Sequence, residues 1–440
     1  MKGHLLTAFL LTGGLSMAQE VAFEEYDLAN GLHVILHQDN SAPVVTTGVM
    51  YHVGAKDEDP TRTGFAHFFE HLLFEGTKNI ERGKWFDIVS SNGGRNNAFT
   101  TQDKTYYYEV FPSNNLELAL WMESERLLHP VINQVGVDTQ NEVVKEEKRQ
   151  RIDNAPYGKI IYRTGVNPHL FKKHPYGQSV IGSMEHLDAA TLDEFIAFKK
   201  KFYNPNNAVL VVAGDINIAQ TKKWIEKYFG KIPNTAAKPK RVDIQEEPIK
   251  QTIKVTEYDA NIQIPMKLYA YRTPGMKEKD AYVLNLISSI LSGGKSSRLY
   301  KKMVDDKKSA LQVLAFSDSQ EDYGTYIIGA LPMAGVSLDD LGKDIDQEIE
   351  KLQNQLISER EFEKLRNQIE TNFVNSNQST EGIALSLADY YTFYKDTNLI
   401  NKSVEIYRSI TREDIQRAAR EYLNPNQRLD LDYLPESTKK

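Results

Sequence analysis

The sequence predicts an α+β protein built from two similar domains in tandem, each a mainly antiparallel sheet with helices on one face. Strand-like and helical segments are mixed along the chain and do not alternate strictly, as parallel βαβ units would. The motif Y-N-P-N at 203–206 recurs as L-N-P-N at 423–426, an offset of 220 (423 minus 203). The same offset pairs the strand-like segments 45–53 and 263–273. Agreement between these landmarks indicates a tandem duplication.

Composition limits the classes of function. A chain of 440 residues is long enough for two domains, and 40% hydrophobic and 26% charged residues are typical of a globular protein. The net charge of −7 gives no argument for nucleic acid or an anionic membrane as partner. The chain has no cysteine, which excludes disulfides and thiolate ligands. Any metal must therefore be bound by histidines and carboxylates.

The first 18 residues have the pattern of a secretory signal peptide. Lys2 precedes an apolar run at 5–15, and Ser16-Met17-Ala18 provides a small-residue cleavage site. We predict cleavage after Ala18 and an extracytoplasmic location such as the periplasm, with an uncleaved anchor as the alternative. No other stretch approaches the length of a membrane span, so no stable membrane insertion is expected after cleavage.

The chain divides into four predicted parts. After the signal at 1–18, we expect an N-terminal domain at 19–232, a linker at 233–250 and a C-terminal domain at 251–440. The linker is predicted because its residues are mostly Pro, Lys, Ala and Glu, with little apolar content.

Hydrophobic periodicity predicts the elements of the first domain in order. The segments 32–37 and 44–53 are strand-like and predict a hairpin. Further strands are expected at 105–111 and 208–213, and helices at 65–73, 85–91, 116–128, 137–152 and 192–202.

The helix at 65–73 carries the pattern His67-Phe68-Phe69-Glu70-His71. At about 100° per residue, His67, Glu70 and His71 share one arc of roughly 100°. Two imidazoles on one face can bind a metal ion, and the carboxylate between them can reach a water on that ion. The alternative is a chance pair of surface or core histidines. The apolar flanks favour the metal, because buried imidazoles and carboxylates are costly unless they are paired or metal-bound.

A third ligand is expected on the helix at 137–152. Periodicity places Glu147 near the middle of the face marked by Val143 and Val144, with Glu146 roughly 110° away. A carboxylate on a buried face needs a partner, and a metal cation is one candidate. A salt bridge with Arg or Lys is the alternative.

The second copy lacks this chemistry. The offset of 220 places Tyr51 on Tyr271, which keeps the register of the strand. It also places the three motif residues His67, Glu70 and His71 on Ile287, Ile290 and Leu291. One copy is therefore predicted to do chemistry and the other to act as scaffold.

The motifs together closely resemble those of the pitrilysin/insulinase-type zinc peptidases (the inverzincins, with H-x-x-E-H), specifically the small bacterial, processing-peptidase-like members. The resemblance covers nearly the whole mature chain. It is carried by H-F-F-E-H at 67–71, F-E-G-T at 74–77, 93–100, V-V-K-E-E at 143–147 and H-P-Y-G at 174–177. The third ligand of the family lies 76 residues past the second histidine, which implies Glu147 (71 plus 76).

The resemblance implies an endopeptidase that cleaves unfolded peptides inside a chamber formed by two facing halves or protomers. Substrate would add as a strand near Asn97, Ala98 and Phe99. Phe74 matches the position beside the residue after the cut. Arg298 matches an arginine that holds substrate together with a tyrosine.

Two departures from the family pattern matter. Many members have a second glutamate seven residues before the ligand, where this chain has Gln140. Gln140 lies on the same helix face as Glu147 and can still orient that ligand by hydrogen bonding, though without charge. The tyrosine that accompanies Arg298 is missing, since the matching stretch is S-A-L-Q at 309–312. We therefore predict the metal-bearing subunit of a heterodimer with a homologous metal-free partner. A homodimer is the alternative, since Tyr300 or another tyrosine could substitute.

The predicted mechanism uses one Zn²⁺ per chain, bound by His67, His71 and Glu147, with Glu70 as the catalytic base. Manganese and cobalt are the other metals considered. The competing hypothesis is a non-catalytic scaffold subunit of the same fold. A structural zinc site is disfavoured because three ligands leave one position open.

Overall fold

The computed structural model describes residues 20–241 and 243–439. The predicted signal peptide at 1–18 lies outside the described residues. The strands are β1 (Glu24–Asp27), β2 (His33–Gln38), β3 (Val44–Tyr51), β4 (Arg95–Thr100), β5 (Thr105–Pro112), β6 (Ala208–Gly214), β7 (Ile253–Asp259), β8 (Met266–Pro274), β9 (Ala310–Ser319), β10 (Tyr323–Pro332) and β11 (Arg428–Pro435).

Helices connect these strands. They are α1 (Phe65–Leu72), α2 (Trp85–Ser91), α3 (Leu116–Leu128), α4 (Gln134–Lys148), α5 (Gly158–Ile161), α6 (Asn167–Leu170), α7 (Met184–Ala189), α8 (Leu192–Phe202), α9 (Ile218–Phe229), α10 (Lys279–Ser292), α11 (Leu338–Asn354), α12 (Glu359–Ser376), α13 (Thr380–Asp389), α14 (Leu399–Arg408) and α15 (Arg412–Tyr422). A π-helical turn, Arg149–Asp153, follows α4.

The first sheet has the strand order β1-β2-β6-β3-β5-β4. All neighbouring pairs are antiparallel except β2 and β6, which are parallel. The predicted hairpin of β2 and β3 is therefore wrong, because β6 lies between them. All seven residues of β6 are buried. A strand buried along its whole length needs partners on both edges, and the central position supplies them.

The second sheet, β7-β11-β8-β10-β9, repeats the order of the first sheet without an equivalent of β1. Tyr51 pairs with Ala208 in the first sheet, and Tyr271 pairs with Arg428 in the second. Both members of the second pair lie 220 residues after those of the first. The predicted α+β tandem duplication is confirmed at the level of strand register.

Each sheet carries the helices of its own half on one face. The core of the first half packs α1, α2, α3, α8 and α9 against the sheet, and that of the second half packs α10, α11 and α15. The other face of each sheet is covered by elements from the other half of the chain. Helix α13 of the second half packs on β3 and β6 of the first sheet. Residues 160–176 of the first half pack on the second sheet. The two halves therefore interlock.

The predicted linker lies between α9 and β7, where the described residues form no helix or strand. Its Glu246 accepts hydrogen bonds from the backbone N–H groups of Lys173 and His174, which fix the segment to the first half. In the described part of the chain, no helix is long and apolar enough to cross a membrane.

Candidate metal centre

Helix α1 begins at a buried carboxyl group. The carboxyl oxygens of Glu58 accept the backbone N–H groups of Gly64 at 2.8 Å and Ala66 at 2.7 Å. These are donors that the first turn of a helix leaves free. Gly64 has a φ of 93°, in the left-handed region that favours glycine. Glu58 thus fixes where the helix starts.

A buried charge holds the other end of α1. Arg126 donates from Nη1 to the carbonyl oxygen of Leu73 at 3.1 Å and forms ion pairs with Glu109 and Glu123, each at 3.0 Å. Its guanidinium lies 4.0–4.5 Å from three ring centroids, those of Phe74, Trp85 and Tyr107. The short helix is therefore fixed at both ends.

The structure brings together the three predicted ligands. Nε2 of His67 lies 3.5 Å from Oε2 of Glu147, and Nε2 of His71 lies 3.2 Å from the same oxygen. The candidate ligand atoms of these three residues all lie within 4.8 Å of one another. They form the only such cluster of three found among the described residues.

These distances fit a zinc ion. A tetrahedral site with metal–ligand bonds of about 2.1 Å has ligand–ligand separations of about 3.4 Å. The two nitrogen–oxygen separations, 3.5 and 3.2 Å, bracket that value. Two imidazoles and one carboxylate form a donor set that zinc takes in catalytic sites, with one position left open.

Glu147 reaches the site from α4, but the reasoning that placed it there was partly wrong. Val143 is 44% exposed, so it does not mark the buried face, whereas Val144 is fully buried. Glu147 lies at the edge of that face, with its side chain 17% exposed. Its other oxygen, Oε1, lies 2.9 Å from Nη1 of Arg151 on the π-helical turn. One oxygen faces the histidines and the other is held by arginine.

The electrostatics favour ligands in their metal-binding forms at two of the three residues. Burial, helped by the neighbouring His71, lowers the pKa of His67 to about 4, so its imidazole is neutral. Burial alone would raise the pKa of Glu147, but the hydrogen bond from His71 and the charges of His71 and Arg151 lower it. In the metal-free site, burial would lower the pKa of His71, yet its contacts with Glu147 and Glu70 raise it.

Glu70 is placed to act on a group at the metal. It is buried on α1, and burial raises its pKa to about 7. Oγ1 of Thr100 donates to Oε2 of Glu70 at 2.6 Å, which leaves Oε1 for another partner. Thr100 is the last residue of β4, so this hydrogen bond links the metal helix to the sheet edge.

A cavity of about 860 Å³ opens beside these residues. The predicted substrate residues Asn97, Ala98 and Phe99 lie in its wall, on β4. Because β4 is the terminal strand of the first sheet, one of its edges has no strand partner among the described residues. The second half also contributes to the wall of the cavity, with residues that include Met276 and Tyr390.

Two predicted substrate residues lie elsewhere. Phe74 packs in the aromatic cluster around Arg126 and stacks on Phe86, with ring centroids 5.2 Å apart. Arg298 forms a two-point ion pair with Glu361, at 2.9 and 2.7 Å. Neither lines the cavity, and their roles with substrate stay predictions.

Gln140 contacts the predicted metal ligand His71 and not Glu147, which the sequence predicts Gln140 to orient. Its Oε1 lies 3.2 Å from Nδ1 of His71. Thr100, Arg151 and Arg126 were missed from the sequence. The spacing of Arg151 four residues after Glu147 could have indicated the ion pair, and Thr100 closes the N-A-F-T stretch. The spacing of Glu123 three residues before Arg126 was a local signal for their ion pair, but the contacts of Arg126 with Glu109 on β5 and the carbonyl oxygen of Leu73 after α1 had none.

Comparison with known proteins agrees with this geometry. Residues 33–183 match the family described as insulinase (peptidase family M16), and residues 189–369 match the description "Peptidase M16 inactive domain". The chain belongs to the insulinase family, peptidase family M16. The predicted resemblance to pitrilysin/insulinase-type proteins is confirmed. The inactive-domain match contains Ile287, Ile290 and Leu291, the apolar counterparts of the metal motif.

Insulinase-family relatives cover most of the chain. The zinc protease PqqE of Helicobacter pylori is 28% identical over 428 residues, which cover 96% of each chain. The uncharacterized zinc protease YmxG of Bacillus subtilis is 26% identical over 81% of this chain and 85% of its own. The crystal structure of a protease from Helicobacter pylori matches with a TM-score of 0.87 and 27% identity, covering 94% of this chain and 99% of that one. Pitrilysin shares the fold, with a TM-score of 0.77 and 17% identity over 94% of this chain and 45% of that one.

Proposed function

We propose that this chain is a zinc-dependent endopeptidase, with His67, His71 and Glu147 as zinc ligands and Glu70 as the catalytic base. One observation carries the proposal: three ligand atoms converge beside a buried carboxylate in the wall of a cavity that borders an open sheet edge. The scaffold alternative is disfavoured, because the inactive-domain match falls on residues 189–369 and leaves the metal motif intact.

The residues have distinct roles in peptide hydrolysis. Bound zinc supplies Lewis-acid polarisation of the scissile carbonyl and acidifies water. Glu70 accepts the proton of the attacking water and passes it to the leaving amine nitrogen. Thr100 holds Oε2 of Glu70, so that Oε1 is directed to the reacting atoms. Gln140 and Arg151 orient His71 and Glu147 from outside the ligand set.

The substrate is an extended, unfolded peptide segment. The open edge of β4 at Asn97, Ala98 and Phe99 offers backbone donors and acceptors for strand addition. A segment that is already paired within a folded protein would have to give up its backbone hydrogen bonds before it could pair with β4. Polypeptide backbone is recognised in this way with little dependence on side chains.

The partner is a homologous, metal-free subunit that closes a chamber over the site. In this chain Arg298 is held by Glu361, and the stretch 309–312 has no tyrosine to assist it. A partner would supply the missing substrate contacts. The pattern of residues 1–18 and the absence of cysteine support an extracytoplasmic location.

Chelation and reconstitution test the proposal. Purified chain is stripped of metal, reloaded with zinc, manganese or cobalt, and assayed on a quenched-fluorescent peptide library, alone and after co-expression with a neighbouring homologue. We expect about one zinc per chain and cleavage that zinc restores. Turnover that requires the homologue supports the heterodimer, whereas full turnover by the chain alone indicates a homodimer. Absence of both zinc and cleavage would return the scaffold alternative.

A further inference from the structure

We infer that Glu75 is a positioning residue that fixes the tautomer of His71 through Gln140, an inference that rests on the proposed function. Oε1 of Gln140 lies 3.2 Å from Nδ1 of His71, and Nε2 of Gln140 donates to Oε1 of Glu75. The second oxygen of Glu75, Oε2, is paired with Nε of Arg82. A continuous chain of hydrogen bonds thus runs from the metal site to a carboxylate two side chains away.

The carboxylate of Glu75 determines which group donates and which accepts in each of these hydrogen bonds. An ionised carboxylate only accepts hydrogen bonds, so the amide NH₂ of Gln140 must face Glu75. The carbonyl oxygen of Gln140 then faces His71 and can only accept. When Nε2 binds a metal, His71 must therefore carry its one remaining proton on Nδ1, and the lone pair of Nε2 is available to the ion that Glu147 would also bind.

Glu75 occupies a specific position. Its side chain is only 9% exposed, although Arg82 is 49% exposed. Its stem lies against Gly136, one helical turn before Gln140 on α4. A carboxylate buried to this degree is costly without partners, and both of its oxygens are engaged. By contrast, Nδ1 of His67 is buried without a hydrogen-bond partner among the described residues. Side-chain control of the tautomer is therefore concentrated on His71.

Removing the carboxylate removes the constraint. With Glu75→Gln, either end of the Gln140 amide can face His71. When the NH₂ group faces it, Nδ1 must accept, and the proton moves to Nε2, the atom that the metal needs. The same loss follows from Gln140→Leu, which keeps the charge of Glu75 but breaks the chain.

A double-mutant cycle on zinc affinity tests the inference. Zinc dissociation constants of the full-length chain are measured by competition with a chromogenic chelator for wild type, Glu75→Gln, Gln140→Leu and the double variant. We expect each single change to weaken zinc binding about tenfold, and the double variant to be no weaker than the singles, because outer partners of a metal ligand act as a unit. Glu142→Gln, which removes an exposed carboxylate from the same helix, is the matched control and should change affinity less than twofold. Thermal unfolding of each metal-free variant verifies folding, and Gln140→Leu carries the test if Glu75→Gln does not fold.

The outcomes separate this inference from the proposed function. The inference would be overturned if Glu75→Gln binds zinc within twofold of the wild-type affinity. It would also be overturned if Glu75→Gln weakens zinc binding and Gln140→Leu does not, because that result would indicate a simple effect of the charge of Glu75. Additive losses of about a hundredfold in the double variant would also overturn it. A wild-type chain that binds no zinc would overturn the proposed function and the inference with it.

Discussion

Helices α1 and α10 occupy equivalent places in the two halves, but the buried side chains of α1 include polar residues and those of α10 at the same positions are apolar. Helix α1 presents His67, Glu70 and His71 beside the cavity, whereas α10 presents Ile287, Ile290 and Leu291 to a closed apolar core. The strand register around them repeats with an offset of 220. Backbone architecture alone therefore does not make the site.

The difference lies in what surrounds each helix. Around α1, polar partners are supplied by the buried Glu58 and Arg126 and by the half-buried Thr100 and Gln140. The equivalent region of the second half is filled by apolar side chains. Burying His67, Glu70 and His71 is costly unless neighbouring groups form hydrogen bonds or ion pairs with them. The site in the first half therefore depends on the polar residues around α1 as well as on the three motif residues themselves.

The largest effect is expected when the equivalent residues His71 and Leu291 of the two halves are each replaced by alanine. His71→Ala should weaken zinc binding by at least about a hundredfold and abolish cleavage, because it removes one of the three proposed zinc ligands. Leu291→Ala, its counterpart, should keep zinc affinity and cost about 3 kcal/mol of unfolding free energy. Chelator competition and urea unfolding measure both. Loss of zinc in Leu291→Ala at a temperature where it is folded would contradict the division of labour.

A carboxylate moved into the second half should be destabilising. Ile290 is 3% exposed and corresponds to Glu70. Ile290→Glu should lower the free energy of unfolding by about 3 kcal/mol or more, since it places a carboxyl group among the buried apolar side chains of the second core. Ile290→Met, the matched control, should cost less than about 1.5 kcal/mol. Equal stability of the two variants in urea would show that the second core tolerates charge.

Thr100 should matter through its hydroxyl. Thr100→Val should lower kcat about tenfold with little change in zinc affinity, because Glu70 loses the donor that orients it. Thr100→Ser keeps the hydroxyl and should stay within about threefold of wild type. If the serine variant is as impaired as the valine variant, packing rather than the hydrogen bond is responsible.

The interlock between the halves should weaken in acid. Glu321 accepts from Nε2 of His52 at 2.8 Å and from Nζ of Lys56 at 2.7 Å, across the two halves. Burial alone would raise the pKa of Glu321, but the hydrogen bond from His52 and the charge of Lys56 hold it well below its usual range. A lowered pKa contributes stability above the unfolded value of about 4.3, and this contribution is lost as the pH falls below it.

Glu321→Gln should therefore cost about 2 kcal/mol at pH 7 and progressively less below about pH 4. Urea unfolding at pH 7 and pH 3.5 measures this. Glu247→Gln, at a side chain that is 79% exposed, is the control and should change stability by less than about 0.5 kcal/mol. A difference between wild type and Glu321→Gln that grows in acid would contradict the assignment.

Local patterns predicted much of this molecule. The helices at 85–91, 116–128 and 192–202 match α2, α3 and α8, because apolar residues recur at helical spacing in each of them. The metal motif was visible because its three residues lie within one helical turn. The proposed third ligand, Glu147, was identified from the family resemblance as well as from periodicity, because Val143, taken as a marker of the buried face, is in fact exposed.

Long-range partners could not be predicted in the same way. The insertion of β6 between β2 and β3 joins segments about 170 residues apart. Each half covers one face of the other half's sheet, through α13 and residues 160–176, and no sequence periodicity indicates this packing. The contacts of Arg126 with Glu109 and of Glu75 with Gln140 form only in the folded protein, because these residues lie far apart in the sequence or on different elements. Such contacts are properties of tertiary packing and not of local sequence.

The measurement that tests the central claim most directly is the zinc content and turnover of Glu70→Gln beside wild type. The variant keeps all three proposed ligands and the shape of the side chain, and it removes only the proposed base. We expect about one zinc per chain in both proteins and a kcat lowered about a thousandfold in the variant. Retained turnover in Glu70→Gln, with zinc bound, would contradict the assignment of Glu70 and the mechanism built on it.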